Sequence, residues 1–130
     1  MRTEHNNRTF KTKLFHKWAA KENISDQDLI VAMQEISKGL IDANLGGSVI
    51  KKRVGMPGKG KSGSYRTLIA FRKGRHVFFM YGFAKNQRDN VNAKELYALK
   101  RLAKEFLSLN ETQIVQALNK GELFEVKANE

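Results

Sequence analysis

Apolar side chains recur along this chain at two spacings, and the switch between them divides it into three parts. A short β-like run from Thr9 to Lys13 leads into a helical stripe over Leu14 to Lys21, with Leu14, Phe15, Trp18 and Ala19 on one side. Ser25 then stands as an N-cap with Asp28 three positions later. Leu29, Met33, Ile36 and Leu40 repeat at helical spacing until Gly39 loosens the end. The middle part alternates instead. Ser48 to Val54, Ser64 to Arg72 and Arg75 to Phe83 are rich in Val, Ile, Phe, Tyr and Thr, and Lys73-Gly74 supplies a tight turn between the last two, so three antiparallel strands are expected. Helical spacing returns with Leu96, Leu99, Ala103 and Phe106 behind a capping box of Asn92 and Glu95. Asn110 with Gln113 opens a shorter helix carrying Ile114 and Leu118 before Gly121. The ending "ELFEVKANE" is expected to add a short strand. Trp18 and the aromatic and Met residues of the stripes read as core.

The pattern is that of an α+β protein, and 130 residues suit one domain with a single modest core. The absence of cysteine excludes disulfides, thiolate zinc sites and a cysteine nucleophile. No apolar run approaches the roughly 20 residues that span a bilayer, and "MRTEHNNRTFKTK" lacks the apolar segment of a secretory signal. A soluble cytoplasmic protein without a membrane partner is expected.

Charge changes the picture more. The formal net charge is +11, and from Ala43 to Arg88 there are eleven Lys or Arg and no Asp or Glu, whereas the remaining residues hold thirteen of each sign. The whole excess therefore lies in the three-stranded segment, as expected of a surface that binds a polyanion. Within it "GMPGKGKS", Gly55 to Ser62, matches the phosphate-loop pattern G-x-x-x-x-G-K-[ST]. That loop needs a buried strand before it and a helix after it, so that the helix N-terminus cradles phosphates. Here the preceding "VIKKRV" is half charged and the following "GSYRTLIAF" reads as another strand. The glycines and Pro57 are therefore expected to form a mobile basic hairpin tip, with no nucleotide cofactor.

A basic sheet without carboxylates offers no ligands for magnesium, so no metal is expected there. Cleaving a phosphodiester without a metal needs an internal nucleophile, which RNA supplies in its 2′-hydroxyl. The protein then needs a base, cations for the charge developing on phosphate, and a donor for the leaving 5′-oxygen. His5, His16 and His76 are scattered, so this work would fall to Lys and Arg.

The order β, α, α, three strands, then helix, with "LGGSVIKKRV", "GKGKSGSYRTLIAF" and "YGFAKNQRDN", resembles the RelE/HigB-type toxins of bacterial toxin–antitoxin modules, in the RelE/ParE superfamily, from about Phe10 to Leu107. The resemblance implies a β-α-α-β-β-β-α fold, a small antiparallel sheet packed by helices, here with an extra C-terminal helix. Residues 1–8 would form a flexible N-terminal tail, 9–120 a single RelE-like toxin domain, and 121–130 a C-terminal tail or short strand. It also implies a ribosome-dependent mRNA interferase that cuts messenger RNA without metal and causes growth arrest. Its expected partners are the ribosome and mRNA, and a cognate antitoxin, an acidic or helical segment of which would cover the basic face.

The family's roles fall on particular residues of this sequence. The pair of basic residues two apart on the family's second strand aligns with Lys51 and Arg53, one of them the candidate base or charge stabiliser. Alternation places both on one face and Lys52 on the other with Ile50 and Val54. The arginine following an aromatic on the next strand corresponds to Arg66 in "SYR", the candidate transition-state clamp. A further basic residue belongs just after the last strand, where this chain has Asn86 flanked by Lys85 and Arg88; the two cations complete the catalytic candidates. Relatives carry a base-stacking tyrosine further on that "DNVNAKEL" lacks, and Tyr65 and Tyr81 are its candidate substitutes. With Lys52, Lys59, Lys61 and Asn86 they form the expected RNA-binding set. The same fold also serves ParE-like relatives that poison DNA gyrase by protein contact. That activity and a non-catalytic RNA-binding module are the alternatives at this point.

Overall fold

Strand β1 (Thr9–Thr12) runs straight into helix α1 (Lys13–Lys21), because the Thr12 side chain turns from the sheet to accept the Phe15 N–H as an N-cap. Helix α2 (Asp26–Ser37) follows, then β2 (Ala43–Asn44), β3 (Val49–Met56), β4 (Gly60–Ala70), β5 (Val77–Ala84), α3 (Ala93–Leu107), α4 (Glu111–Asn119) and β6 (Leu123–Glu125). The computed structural model describes residues 7–56 and 60–127, at 56 and 60–63 through the backbone alone. The capping box expected at Asn92 with Glu95 forms, and Ser25 with Asp28 and Asn110 with Gln113 form boxes as well, each partner accepting the other's backbone N–H. Gly39 ends α2 in the left-handed region at φ +84°, and Gly74 turns the β4–β5 connection at φ +82°.

Among the described residues the strands form one sheet in the order β2-β3-β4-β5-β1-β6. The α+β architecture is as expected, and "ELFEVKANE" supplies the expected strand. The sheet itself is mixed rather than wholly antiparallel, since β1 pairs parallel with β5 and antiparallel with β6. All four β1 residues are buried, so their backbone groups need partners on both edges, and a central slot provides them. Buried Lys11 in that slot has its Nζ 2.8 Å from the Asp26 carboxylate.

The sheet carries a core on each face. Ile50, Val54, Tyr65, Ile69 and Phe79 pack under α1 and α2 with Phe15, Leu29, Ala32 and Ile36. Val49, Leu68, Phe78 and Met80 pack under α3 and α4 with Ala103, Leu107 and Ile114. An irregularity lets Leu68 pair with Tyr81 but Ile69 with Phe79, so β5 carries one extra residue and twists its far end. Among the described residues no helix is long and apolar enough to cross a membrane.

Candidate functional site

Two long antiparallel arms, β3 and β4, build the basic face, and their register decides which side chains meet. Arg53 sits directly opposite Arg66, and Lys51 opposite Leu68. Because Leu68 belongs to the core under α3, Lys51, Arg53 and Arg66 share the α3 face, as alternation requires. Like charges facing one another across strands oppose folding. The Arg53–Arg66 pairing is therefore a feature that packing alone does not favour.

The two arginines are held differently. Arg53 lies on the edge beyond the short β2, its side chain nearly half exposed and its Nε 3.3 Å from the Asp42 carboxylate. Arg66 is half-buried, and its Nη1 donates to the Ser64 hydroxyl at 2.7 Å. Arg8, Arg53 and Arg88 are matched to carboxylates, whereas Arg72, Arg75 and Arg101 are exposed. Arg66 is thus the half-buried arginine, among the described residues, with a fixed guanidinium and no acid against it. Such a group is pre-oriented for an external anion, and its planar fork suits a phosphate.

Other expected site residues are drawn elsewhere. Lys52 points to the opposite face, 7 % exposed, with Nζ 2.7 Å from Glu35 of α2. Tyr65 is buried on that same face, its ring edge-on to Trp18 and its hydroxyl donating to Glu22 at 3.0 Å. Burial and then this hydrogen bond raise the phenol above its ordinary pKa. Neither Lys52 nor Tyr65 is brought to the Arg66 face. Arg88 is engaged on every nitrogen: it donates to the Asn90 carbonyl at 2.9 Å, to Tyr81 at 3.4 Å and to both oxygens of Glu95 at 2.5 and 3.0 Å, and it lies over the Phe83 ring. These bonds to Arg88, followed by one from the Asn92 backbone, hold Glu95 below the usual carboxylate range. Arg88 accordingly fastens the β5–α3 connection and leaves Lys85 and Asn86 exposed just beyond the strand. Tyr81 stays on the α3 face, half-buried, its hydroxyl accepting from Arg88.

The segment from Gly55 to Ser62 has strand on both sides, with Met56 paired to Gly60, so the phosphate-loop match lacks the helix into which such a loop leads. Lys59 and the hairpin tip expected at 57–59 lie outside the described residues, as does the side chain of Lys61. His16 stacks on Phe124 and His76 bonds Arg8 and Glu111, so neither reaches Arg66. Among the described residues no three His, Asp or Glu side chains gather as a metal site.

A family model described as the RelE toxin of the RelE / RelB toxin–antitoxin system matches residues 7–126. The chain belongs to the RelE toxin family. It is thereby a toxin of a toxin–antitoxin system, with an antitoxin as partner. No curated protein matches the sequence. In this RelE-family toxin, one exposed aromatic escapes the expected site. Tyr97 of α3 is 64 % exposed, with the Arg101 guanidinium 6.0 Å from its ring and Lys94 one turn before. The sequence carried a signal for it: Tyr97 falls off the stripe of Leu96, Leu99, Ala103 and Phe106, so a large ring had to stand on the polar side of the helix.

Proposed function

We propose that the toxin is a ribosome-dependent mRNA interferase, an endoribonuclease that cuts the message through its own 2′-hydroxyl. In this reaction the 2′-hydroxyl passes its proton to a base, for which Lys51 is the candidate, its oxygen attacks the adjacent phosphorus to form a 2′,3′-cyclic phosphate, the bond to the 5′-oxygen breaks, and negative charge grows on the non-bridging oxygens. Arg66 receives that charge through its fork, with Lys51 beside it and Arg53 opposite. The leaving 5′-oxygen takes a proton, for which Lys85, exposed just after β5, is the candidate donor. The RNA faces Arg66, Lys51 and Tyr81, while Lys52, Tyr65 and Arg88 hold the framework.

The observation that carries this reading is the pinned, acid-free guanidinium of Arg66 opposite a second arginine. A surface meant only to attract RNA needs many mobile cations, not one fixed and half-buried. Primer extension on messages from cells in which the toxin is induced tests the reading. Discrete new 5′ ends within translated frames are expected. Intact messages accompanied by gyrase-linked DNA breaks would replace it with the gyrase reading.

A further inference from the structure

Beyond Phe79, strand β5 loses its second neighbour. Strand β1 pairs only with Val77, Phe78 and Phe79 before the chain turns into α1, and Thr12 adds one side-chain bond to the Met80 carbonyl. From Tyr81 to Phe83 the strand is bonded to β4 on one edge, and no described strand pairs with the other. A groove of about 240 Å³ lies along this edge, walled by Leu14, Phe15, Trp18, Tyr81, Gly82 and Phe83, with Gln87 and the Glu95-bonded Arg88 at its polar end. Tyr81 and Phe83 belong to the α3 face of the sheet, whereas Gly82 turns toward Trp18 on the α1 face. A groove touching both faces of one strand runs along its edge. Leu14 on its wall is 60 % exposed.

We infer that this groove docks an extended, apolar and acidic segment of the antitoxin, added as a strand beside β5. Unpaired strand edges present N–H and C=O groups at a spacing that another polypeptide matches, and the pockets on either side receive its alternate side chains. Phosphate groups match neither the spacing nor the apolar walls, so the occupant is protein rather than RNA. Its charge follows from the rim. Lys17 and Lys21 lie on α1 three and seven positions after Leu14, on the same flank and exposed, and α1 contains no acid. Exposed Lys85 follows the end of β5, and the connection after it carries one acid, exposed Asp89.

The position also links docking to inhibition. Phe83 is the ladder partner of Arg66. A strand added to β5 lies two strand spacings from β4, roughly 10 Å, so chain continuing from it can reach the basic face. The inference rests on the family's antitoxin partner and is independent of whether the toxin cuts RNA.

The test uses the purified toxin and its complex with the cognate antitoxin. Amide hydrogen exchange is read at residues 81–83, and antitoxin affinity is titrated for wild type, Leu14→Glu and the Lys17→Glu/Lys21→Glu pair. Antitoxin should slow exchange at 81–83 by at least 10-fold. Leu14→Glu and the paired reversal should each weaken antitoxin binding at least 10-fold, with unchanged thermal midpoints and unchanged growth arrest when the toxin is expressed without antitoxin. Wild-type affinity in both variants together with unprotected amides at 81–83 would overturn the inference. So would protection conferred by ribosomes and not by antitoxin, which would assign the edge to the RNA side.

Discussion

Replacing Lys52 with alanine removes a side chain that is 7 % exposed and bonded at 2.7 Å to Glu35. Three methylenes beyond Cβ leave the interior between β3 and α2, at about 0.8 kcal/mol each, or roughly 2.4 kcal/mol. The Glu35 side chain keeps 32 % of its surface in water, so losing its cation costs only about 1 kcal/mol rather than the full penalty of a stranded buried charge. Lys52→Ala should therefore destabilise by about 3 kcal/mol. Lys52→Met, which keeps the packing and loses only the charge, should cost about 1 kcal/mol. At roughly 4 °C per kcal/mol for a domain of this size, the thermal midpoint falls by about 12 °C and about 4 °C respectively. Far-UV circular dichroism melts, supported by urea midpoints, read both. At a temperature where both are folded, Lys52→Met should cleave ribosome-bound message at the wild-type rate. A Met variant as stable as wild type but defective in RNA binding or cleavage would refute the reasoning, because Lys52 would then have to reach the RNA.

Gly82→Ala should be as severe for a different reason. A Cβ there would lie 2.2 Å from Trp18 Cζ3, and moving the indole aside would break its packing against Phe15 and Tyr65. A loss of about 3 kcal/mol with red-shifted Trp18 fluorescence is expected; unchanged stability and emission would disprove the packing. Acid sensitivity should depend on Arg8. Its hydrogen bonds hold Glu125 below the usual carboxylate range, against the opposing effect of burial. A depressed folded pKa gives stability that is present above the unfolded value of about 4.3 and is lost as pH falls through the folded value. The stability gap between wild type and Arg8→Ala, measured by urea midpoints, should therefore hold at neutral pH and shrink below about pH 4. A gap independent of pH would contradict the assignment.

The local signals were readable in the sequence and the nonlocal ones were not. Ser25 with Asp28, Asn92 with Glu95, and Asn110 with Gln113 each lie within one helical turn, so their capping boxes follow from spacing alone. Alternation likewise put Lys51 and Arg53 on one face and Lys52 on the other. That β1 would enter the sheet parallel to β5 depends on a contact between residues nearly seventy apart, which no local pattern encodes. The same reason explains the charge. The segment from Ala43 to Arg88 contains no acid, yet Asp42, Glu35 and Glu95 reach in from outside it to meet Arg53, Lys52 and Arg88. The uniform basic surface suggested by the sequence is thus thinned to a few uncommitted cations, and what distinguishes Arg66 is the lack of such a visitor. Tyr65 shows the converse. Its neighbour Arg66 faces the site, and one step of the pleat turns the ring into the core.

The central claim is that Arg66 acts on the phosphate in the transition state rather than merely attracting RNA. Single-turnover cleavage of a message already bound on ribosomes separates the two, because binding is complete before the reaction begins. Arg66→Ala should keep its thermal midpoint within a few degrees of wild type and occupy ribosomes normally, while the cleavage rate falls roughly 100-fold, equivalent to about 3 kcal/mol of lost transition-state stabilisation. An unchanged single-turnover rate in the folded, ribosome-bound Arg66→Ala variant would contradict the account.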